Sequence, residues 1–226
     1  MGLPSIIAIG DGMTKVVTKF GHACVRIDDG DRAIVIDPGP WSEPERALDG
    51  VRAILITHEH FDHLDVDAVL TAANRDPELL IWAPRPVAEQ LATLGDRIVP
   101  VHPGAEFEAG GFEVAAYGGQ HEIIHPSIPV VDNVAYWVDG IYHPGDSFTV
   151  PTRPTSLLCV PLQAPWSTTG QVIDFTIAVR APRAFQIHEY MLTDFGRDFC
   201  ERRVSAAVEP YGIDFFHIDS HGATEV

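Results

Sequence analysis

The sequence predicts a layered α/β fold with β-sheets at its centre and helices outside. Three observations lead there. Strand-like and helix-like segments are interspersed through both halves of the chain. The 226 residues, 46% of them hydrophobic, suffice for one sizeable core. No Ser/Gly-rich or charged linker divides the sequence, so one domain over residues 1–226 is expected, with residues 1–12 an N-terminal extension if Met13 is an alternative start.

The first third reads as strands. Residues 15–20, 23–27 and 33–36 are short, rich in Val and Ile, and separated by Gly and Asp turns such as Asp28-Asp29-Gly30-Asp31. Residues 53–56 form a continuous apolar run, as a strand buried on both faces requires, and lead straight into a His-rich segment. Residues 65–73 have helical spacing, with Val66, Val69 and Leu70 on one side. Residues 79–82 read as a strand and 85–94 as a helix that Gly95 ends. Short strands at 97–101, 105–108 and 112–117 precede a loop rich in Gly, His and Pro over 118–129. Strands resume at 134–138, 140–143 and 156–161. Helices are expected at 169–180 and 194–208, with a strand at 183–187 between them. No internal repeat and no low-complexity segment interrupts this order.

Composition excludes several classes. Acidic residues number 32 and basic residues 15, a formal charge of −17. Such a surface repels phosphate backbones and anionic lipid, so neither nucleic acid nor membrane is expected as a partner. Cys24, Cys159 and Cys200 form no CxxC pair and read as reduced thiols. No apolar run approaches the roughly 20 residues needed to span a bilayer. Residues 3–9 are too short for the apolar part of a signal peptide and lack a basic segment before them. A cytoplasmic location is therefore expected. A homo-oligomer is compatible with the sequence.

The eleven histidines carry the chemistry. His58 and His60 are two apart at the end of the buried strand, so in extended backbone their rings share a face and can converge on one cation. Asp62 and His63 follow on the turn into the next helix and can approach from another direction. Imidazole and carboxylate together suit zinc, iron or manganese. Two nitrogens, a carboxylate and a third nitrogen exceed what one open catalytic ion needs, which points to two ions. A single histidine is ordinarily a hydrogen-bonded surface or half-buried group; three beside a carboxylate after an apolar strand are not. Asp146 follows a strand and sits in a Pro-Gly turn that fixes its carboxylate, and His188 also ends an apolar strand.

Thr57-His58-Glu59-His60-Phe61-Asp62-His63 resembles the hallmark motif of the metallo-β-lactamase-fold superfamily of metallo-hydrolases, with Glu59 and Phe61 as spacers. Ile34-Val35-Ile36-Asp37-Pro38-Gly39 resembles the strand and loop that precede that motif. Gly118-Gly119-Gln120-His121 resembles the later loop histidine, His143-Pro144-Gly145-Asp146-Ser147 the Gly-Asp segment, and Gln186-Ile187-His188 the final strand-end histidine. The resemblance spans roughly residues 14–208. Within the superfamily, Gly21-His22-Ala23 and the compact spacing are most similar to the ascorbate-6-phosphate-lactonase-like branch. The tail from Phe216 to His221 matches nothing in it.

The resemblance implies a four-layer αββα sandwich, two mostly antiparallel sheets flanked by helices. It implies two divalent ions, zinc first and manganese or iron as alternatives. His58, His60 and His121 would hold one; Asp62, His63 and His188 the other; Asp146 would bridge them. A hydroxide between the ions would attack an ester, lactone or phosphoester bond of a small-molecule substrate. Asp62 would orient it, and His125 is a candidate proton donor. His125 also competes with His121 as a ligand, but Gly118-Gly119 lets the backbone approach closely beside His121. His22, Asp37, His143 and Trp166 are candidates for supporting or pocket-lining roles, with ordinary packing the competing explanation. His102, His217 and His221 are expected at the surface. Only Arg153 and Arg180 lie near these segments in sequence, which speaks against a phosphorylated substrate. Three other readings stay open: a phosphodiesterase of the same fold, an iron redox enzyme with a flavin partner, and a non-catalytic protein stapled by its metals.

Overall fold

Apolar patterning sets the elements. β1 (Val16–Lys19) and β2 (Val25–Asp29) alternate half-exposed and buried residues, as strands with one face on a core do. β3 (Arg32–Ile36) and β4 (Ala53–Leu55) are almost wholly buried, as strands covered on both faces are. In the computed structural model, which describes residues 14–226, these strands build a sheet with β5 (Leu80–Ala83), β6 (Ile98–Pro100) and β14 (Ala223–Glu225). The N-terminal extension and the alternative start at Met13 lie outside the described residues. A second sheet holds β7 (Glu106–Ala109), β8 (Phe112–Gly118), β9 (Val134–Val138), β10 (Ile141–His143), β11 (Leu157–Pro161), β12 (Arg183–Ile187) and β13 (Asp214–Phe216).

The first sheet runs β14-β1-β2-β3-β4-β5-β6 and the second β7-β8-β9-β10-β11-β12-β13. Taken in that order, each has three antiparallel pairs followed by three parallel ones. The sheets are thus evenly mixed, where mostly antiparallel pairing was expected. The reason is the crossovers: α1 (Pro44–Ala47), α2 (Val66–Arg75) and α3 (Arg85–Gln90) link β3 through β6, and α4 (Thr169–Val179) and α5 (Asp194–Val208) link β11 through β13. A strand–helix–strand connection within one sheet brings its strands parallel.

Three apolar interfaces make four layers. Ile27, Ile36, Leu55, Phe112, Tyr136 and Phe185 pack between the sheets. Ile54, Ile56, Val69 and Leu91 pack the first sheet under its helices, and Leu158, Val160, Phe175 and Val204 do so for the second. The expected αββα sandwich is observed. Among the described residues, no helix is long and apolar enough to cross a membrane.

This topology decides where the chemistry sits. β1, β3 and β4 run in one common direction in the first sheet, and β8, β10 and β12 in one common direction in the second. His22, Asp37, the segment 57–63, His121, Asp146 and His188 each lie just past the C-terminal end of one of these strands.

Candidate metal centre

The segment after β4 is held by its neighbours before any ion is considered. Asp37 is fully buried at the end of β3 in the left-handed region, φ 52°. Its Oδ1 accepts the Thr57 backbone N–H at 2.7 Å. Its Oδ2 accepts the Thr57 hydroxyl at 2.6 Å and His63 Nδ1–H at 2.7 Å. Gly39 lets this loop lie against the histidine segment, since a Cβ there would fall 1.9 Å from the Asp62 carbonyl oxygen. On the opposing sheet, buried Asn133 accepts the Asp146 N–H at 3.0 Å and donates to the Pro144 carbonyl at 2.9 Å. Gly145 passes so close to Asn133 and Thr57 that a side chain would collide with both.

Two groups of donors result. His58, His60, His121 and Asp146 lie with one donor atom each within 4.8 Å of one another, and so do His22, Asp62, His63 and His188. Asp146 also reaches the second group: its Oδ1 is 3.1 Å from His63 Nε2, and its Oδ2 is 3.2 Å from both His121 Nε2 and His188 Nε2. The first seven residues named in the sequence as ligands are therefore brought together. His22, named there for a supporting role, joins the second group instead, with its Nε2 3.0 Å from Asp62 Oδ2.

The hydrogen bonds fix which nitrogen faces inward. The Thr57 hydroxyl is committed as a donor to Asp37, so at 2.9 Å it accepts from His58 Nδ1–H. His63 Nδ1–H donates to Asp37. His121 Nδ1–H donates to the Glu122 carbonyl at 2.5 Å, and His188 Nδ1–H to the Gln163 carbonyl at 2.9 Å. With each Nδ1 engaged, the neutral rings of all four present an Nε2 lone pair to the Asp146 carboxylate or its surroundings. Lone pairs aimed at a buried carboxylate repel it unless cations stand between. Accordingly, His63 Nε2, His188 Nε2, Asp146 Oδ1 and His22 Nδ1 are buried without a hydrogen-bond partner. These orphaned atoms and this donor set fit divalent metal ions.

Protonation tells the same story for the ion-free chain. Burial alone would lower the His188 pKa, but the carboxylates of Asp146 and Asp62, 3.2 Å and 3.6 Å from its Nε2, outweigh it and push it up to about 10. His63 is likewise held well above its usual range, its burial overcome by Asp146 and Asp37. Burial lowers His22 to about 4 and His58 well below 6.5, so both stay neutral at neutral pH. Asp62 and Asp146 are held well below the usual carboxylate range: burial opposes this, and the surrounding histidines prevail. Protons on His63 and His188 thus occupy the place that cations fit.

Backbone strain concentrates here. Six non-glycine residues among those described have positive φ, and His22, Asp37 and His188 are three of them. Such conformations cost about 1–3 kcal/mol each and persist where surrounding contacts impose them. One such contact is the His188 N–H donating to the His22 carbonyl at 3.1 Å, a bridge between loops of the two sheets.

The other predicted residues have clear places. His143 is fully buried; it donates through Nε2 to the Ala23 carbonyl at 2.8 Å and accepts the Gly145 N–H at 3.2 Å, buttressing the Asp146 loop. Trp166 is buried and donates its indole N–H to Asp146 Oδ2 at 3.0 Å. His125 belongs to neither group. It is exposed, its Nδ1 accepts the Ser127 N–H at 3.1 Å within its own turn, and as an alternative ligand it stands outside both groups. Arg153 is paired with Glu106 and Glu113, and Arg180 closes the C-terminus of α4. His217 pairs with Glu201 and Asp219, and His221 with Glu43; these two and His102 are all exposed. Asn133, and the aromatic pair Trp41 and Tyr190 beside His22, were not foreseen, because their roles arise from contacts between distant loops.

Comparison with known proteins gives concordant matches. Residues 16–188 match the sequence model of a family described as β-lactamase superfamily domain. The chain is 35% identical over 187 residues to protein Rv0786c of Mycobacterium tuberculosis, covering 80% of this chain and 87% of that one. It is 33% identical over 123 residues to a UPF0173 metal-dependent hydrolase of Xanthobacter autotrophicus, covering 50% of this chain and only 51% of the relative. Its fold is similar to that of Igni18, a metallo hydrolase from Ignicoccus hospitalis, with a TM-score of 0.72 at 18% identity, covering 94% of this chain and 98% of the other.

Proposed function

This chain belongs to the β-lactamase superfamily domain family, and from that premise we propose that it is a metal-dependent hydrolase holding two divalent ions, zinc foremost, that cleaves an ester, lactone or phosphoester bond of a small molecule. The observation that carries this reading is the set of inward-facing Nε2 atoms of His58, His63, His121 and His188 around a buried Asp146. His58, His60 and His121 would hold one ion, Asp62, His63 and His188 the other with His22 beside them, and Asp146 would touch both.

Ions bound there would lower the pKa of a water from about 16 towards about 7 and polarise the scissile oxygen. The chain's own residues do the rest. Asp62 is half-buried and charged, so it accepts a hydrogen bond from the attacking water and orients it. Asp37 locks His63 in the tautomer that offers Nε2. Trp166 fixes the plane of the Asp146 carboxylate. The charge of −17 favours a small substrate that is not a polyanion.

Elemental analysis of protein purified without added metal, paired with a screen of lactones, carboxylic esters, thioesters and phosphodiesters, tests the proposal. It expects about two ions per chain and turnover in one bond class. Fewer than about one ion, with none restored by zinc or manganese, would overturn it.

A further inference from the structure

The approach to the second donor group is lined by aromatic side chains. Trp41 stacks face to face on Tyr190, with ring centroids 4.9 Å apart and planes 13° from parallel. Phe61 stands edge-on to Trp41 at 5.0 Å. Each comes from a different loop next to a candidate ligand. Phe61 lies between His60 and Asp62, Tyr190 lies two residues past His188, and Trp41 meets the His22 ring at 5.1 Å. Phe61 is 61% exposed and Tyr190 59%. Across the site, the loop that follows His121 exposes Ile123 and Ile128.

Exposed aromatic side chains held against one another by three separate loops are not explained by packing, since Phe61 and Tyr190 leave most of their surface in water. Cations nearby already sit in ion pairs: Lys19 is buried against Glu189, Arg46 pairs with Glu43, and Arg197 with Asp194, Asp198 and Glu201, although the buried Arg197 Nε has no hydrogen-bond partner. A free basic group to receive a phosphate or carboxylate substituent is thus lacking among these residues, while flat apolar surface is plentiful.

We propose that Trp41, Phe61 and Tyr190 form a specificity surface for an uncharged substrate carrying an aromatic ring or a bulky apolar group beside the scissile bond. This rests on the hydrolase reading above and names the substrate class for it. A ring laid against the exposed faces of Phe61 and Tyr190 would bury apolar surface on both partners. Contacts of this kind discriminate by about tenfold to a few hundredfold.

The test uses zinc-loaded full-length protein and matched pairs within each bond class, such as γ-phenyl-γ-butyrolactone against γ-butyrolactone and methyl phenylacetate against methyl acetate. The expected result is a kcat/KM ratio of about tenfold or more in favour of the phenyl member. Phe61→Ala and Tyr190→Ala, at exposed positions that the fold does not need for packing, should each reduce that ratio about threefold. Phe195→Ala, exposed on α5, should leave the ratio unchanged. Calorimetric titration with the uncharged, non-hydrolysable pair 2-phenylethanol and ethanol reads the same surface without turnover, with 2-phenylethanol expected to bind about tenfold tighter. Equal kcat/KM for the two members of a pair, or equal affinities, would overturn the proposal. Absence of hydrolysis in every pair would instead count against the hydrolase reading, and the binding ratio would still decide this one.

Discussion

Replacing Asp37 with Asn isolates what one buried carboxylate does for the centre. The backbone at this position is left-handed, φ 52°, which Asn tolerates and Ala does not. The amide keeps the shape and removes the charge. Its oxygen can still accept the Thr57 N–H, but its NH2 then faces His63 Nδ1–H, a donor against a donor. The flipped amide is no better, since its NH2 would face the Thr57 N–H. His63 escapes by moving its proton to Nε2, which covers the lone pair aimed at Asp146. One hydrogen bond to a charged group is worth about 1.5–3 kcal/mol. At about 1.4 kcal/mol per decade this weakens the second ion by roughly 10- to 100-fold, in line with other carboxylates that orient metal-ligating histidines. Equilibrium dialysis against graded zinc buffers, followed by elemental analysis, measures that affinity directly. Second-ion affinity within threefold of the parent protein would refute the tautomer argument.

Three further outcomes follow from the same geometry. Asp146→Ala removes the carboxylate that meets both donor groups and should abolish bound metal and hydrolysis; a variant that retains two ions by elemental analysis contradicts the assigned role. Trp166→Phe keeps the ring and deletes one N–H donor to Asp146 Oδ2, so metal affinity should fall about tenfold with the melting temperature of the ion-free protein little changed. Because His188 keeps its proton up to about pH 10, its pairing stabilises the ion-free fold fully below about pH 6.5 and is lost as pH rises through about 10. Loading metal at pH 7 must expel that proton, so affinity rises with pH, and calorimetry in buffers of different ionisation heat should show release; heats independent of buffer would rule it out.

The donors were legible because they obey local rules. His58 and His60 keep the strand period at the end of an apolar run, and Asp146 and His188 stand at strand ends that the apolar pattern marks. β3, β4, β11 and β12, buried on both faces, were equally plain. The tail was not. β13 and β14 are three residues each, too short to show a period, and β14 pairs with β1 some two hundred residues earlier. The four residues of α1 are likewise below any helical repeat. The parallel half of each sheet was missed because strand sense depends on crossovers rather than on side-chain alternation. At the site, Trp166 could be core or pocket by composition alone; only its distance to Asp146 assigns it. His125 competed with His121 as a ligand, and Gly118-Gly119 already favoured His121; in the structure the His121 loop folds back onto Asp146 while the His125 ring turns to its own Ser127.

The matching strand succession in the two sheets makes the protein a pair of halves, and neither half is self-sufficient. Residues up to β6 contribute His22, His58, His60, Asp62 and His63; residues from β7 onward contribute His121, Asp146 and His188. Every ion would therefore be a rivet across the seam. Its binding free energy is also docking free energy between the halves, growing with the logarithm of free metal. Chelation should then loosen the seam before it melts either sheet. A chain cut in the loop 101–105 would become a two-piece assembly, with β14 zipped onto the other fragment as a clasp. Bound metal would set how tightly the pieces hold.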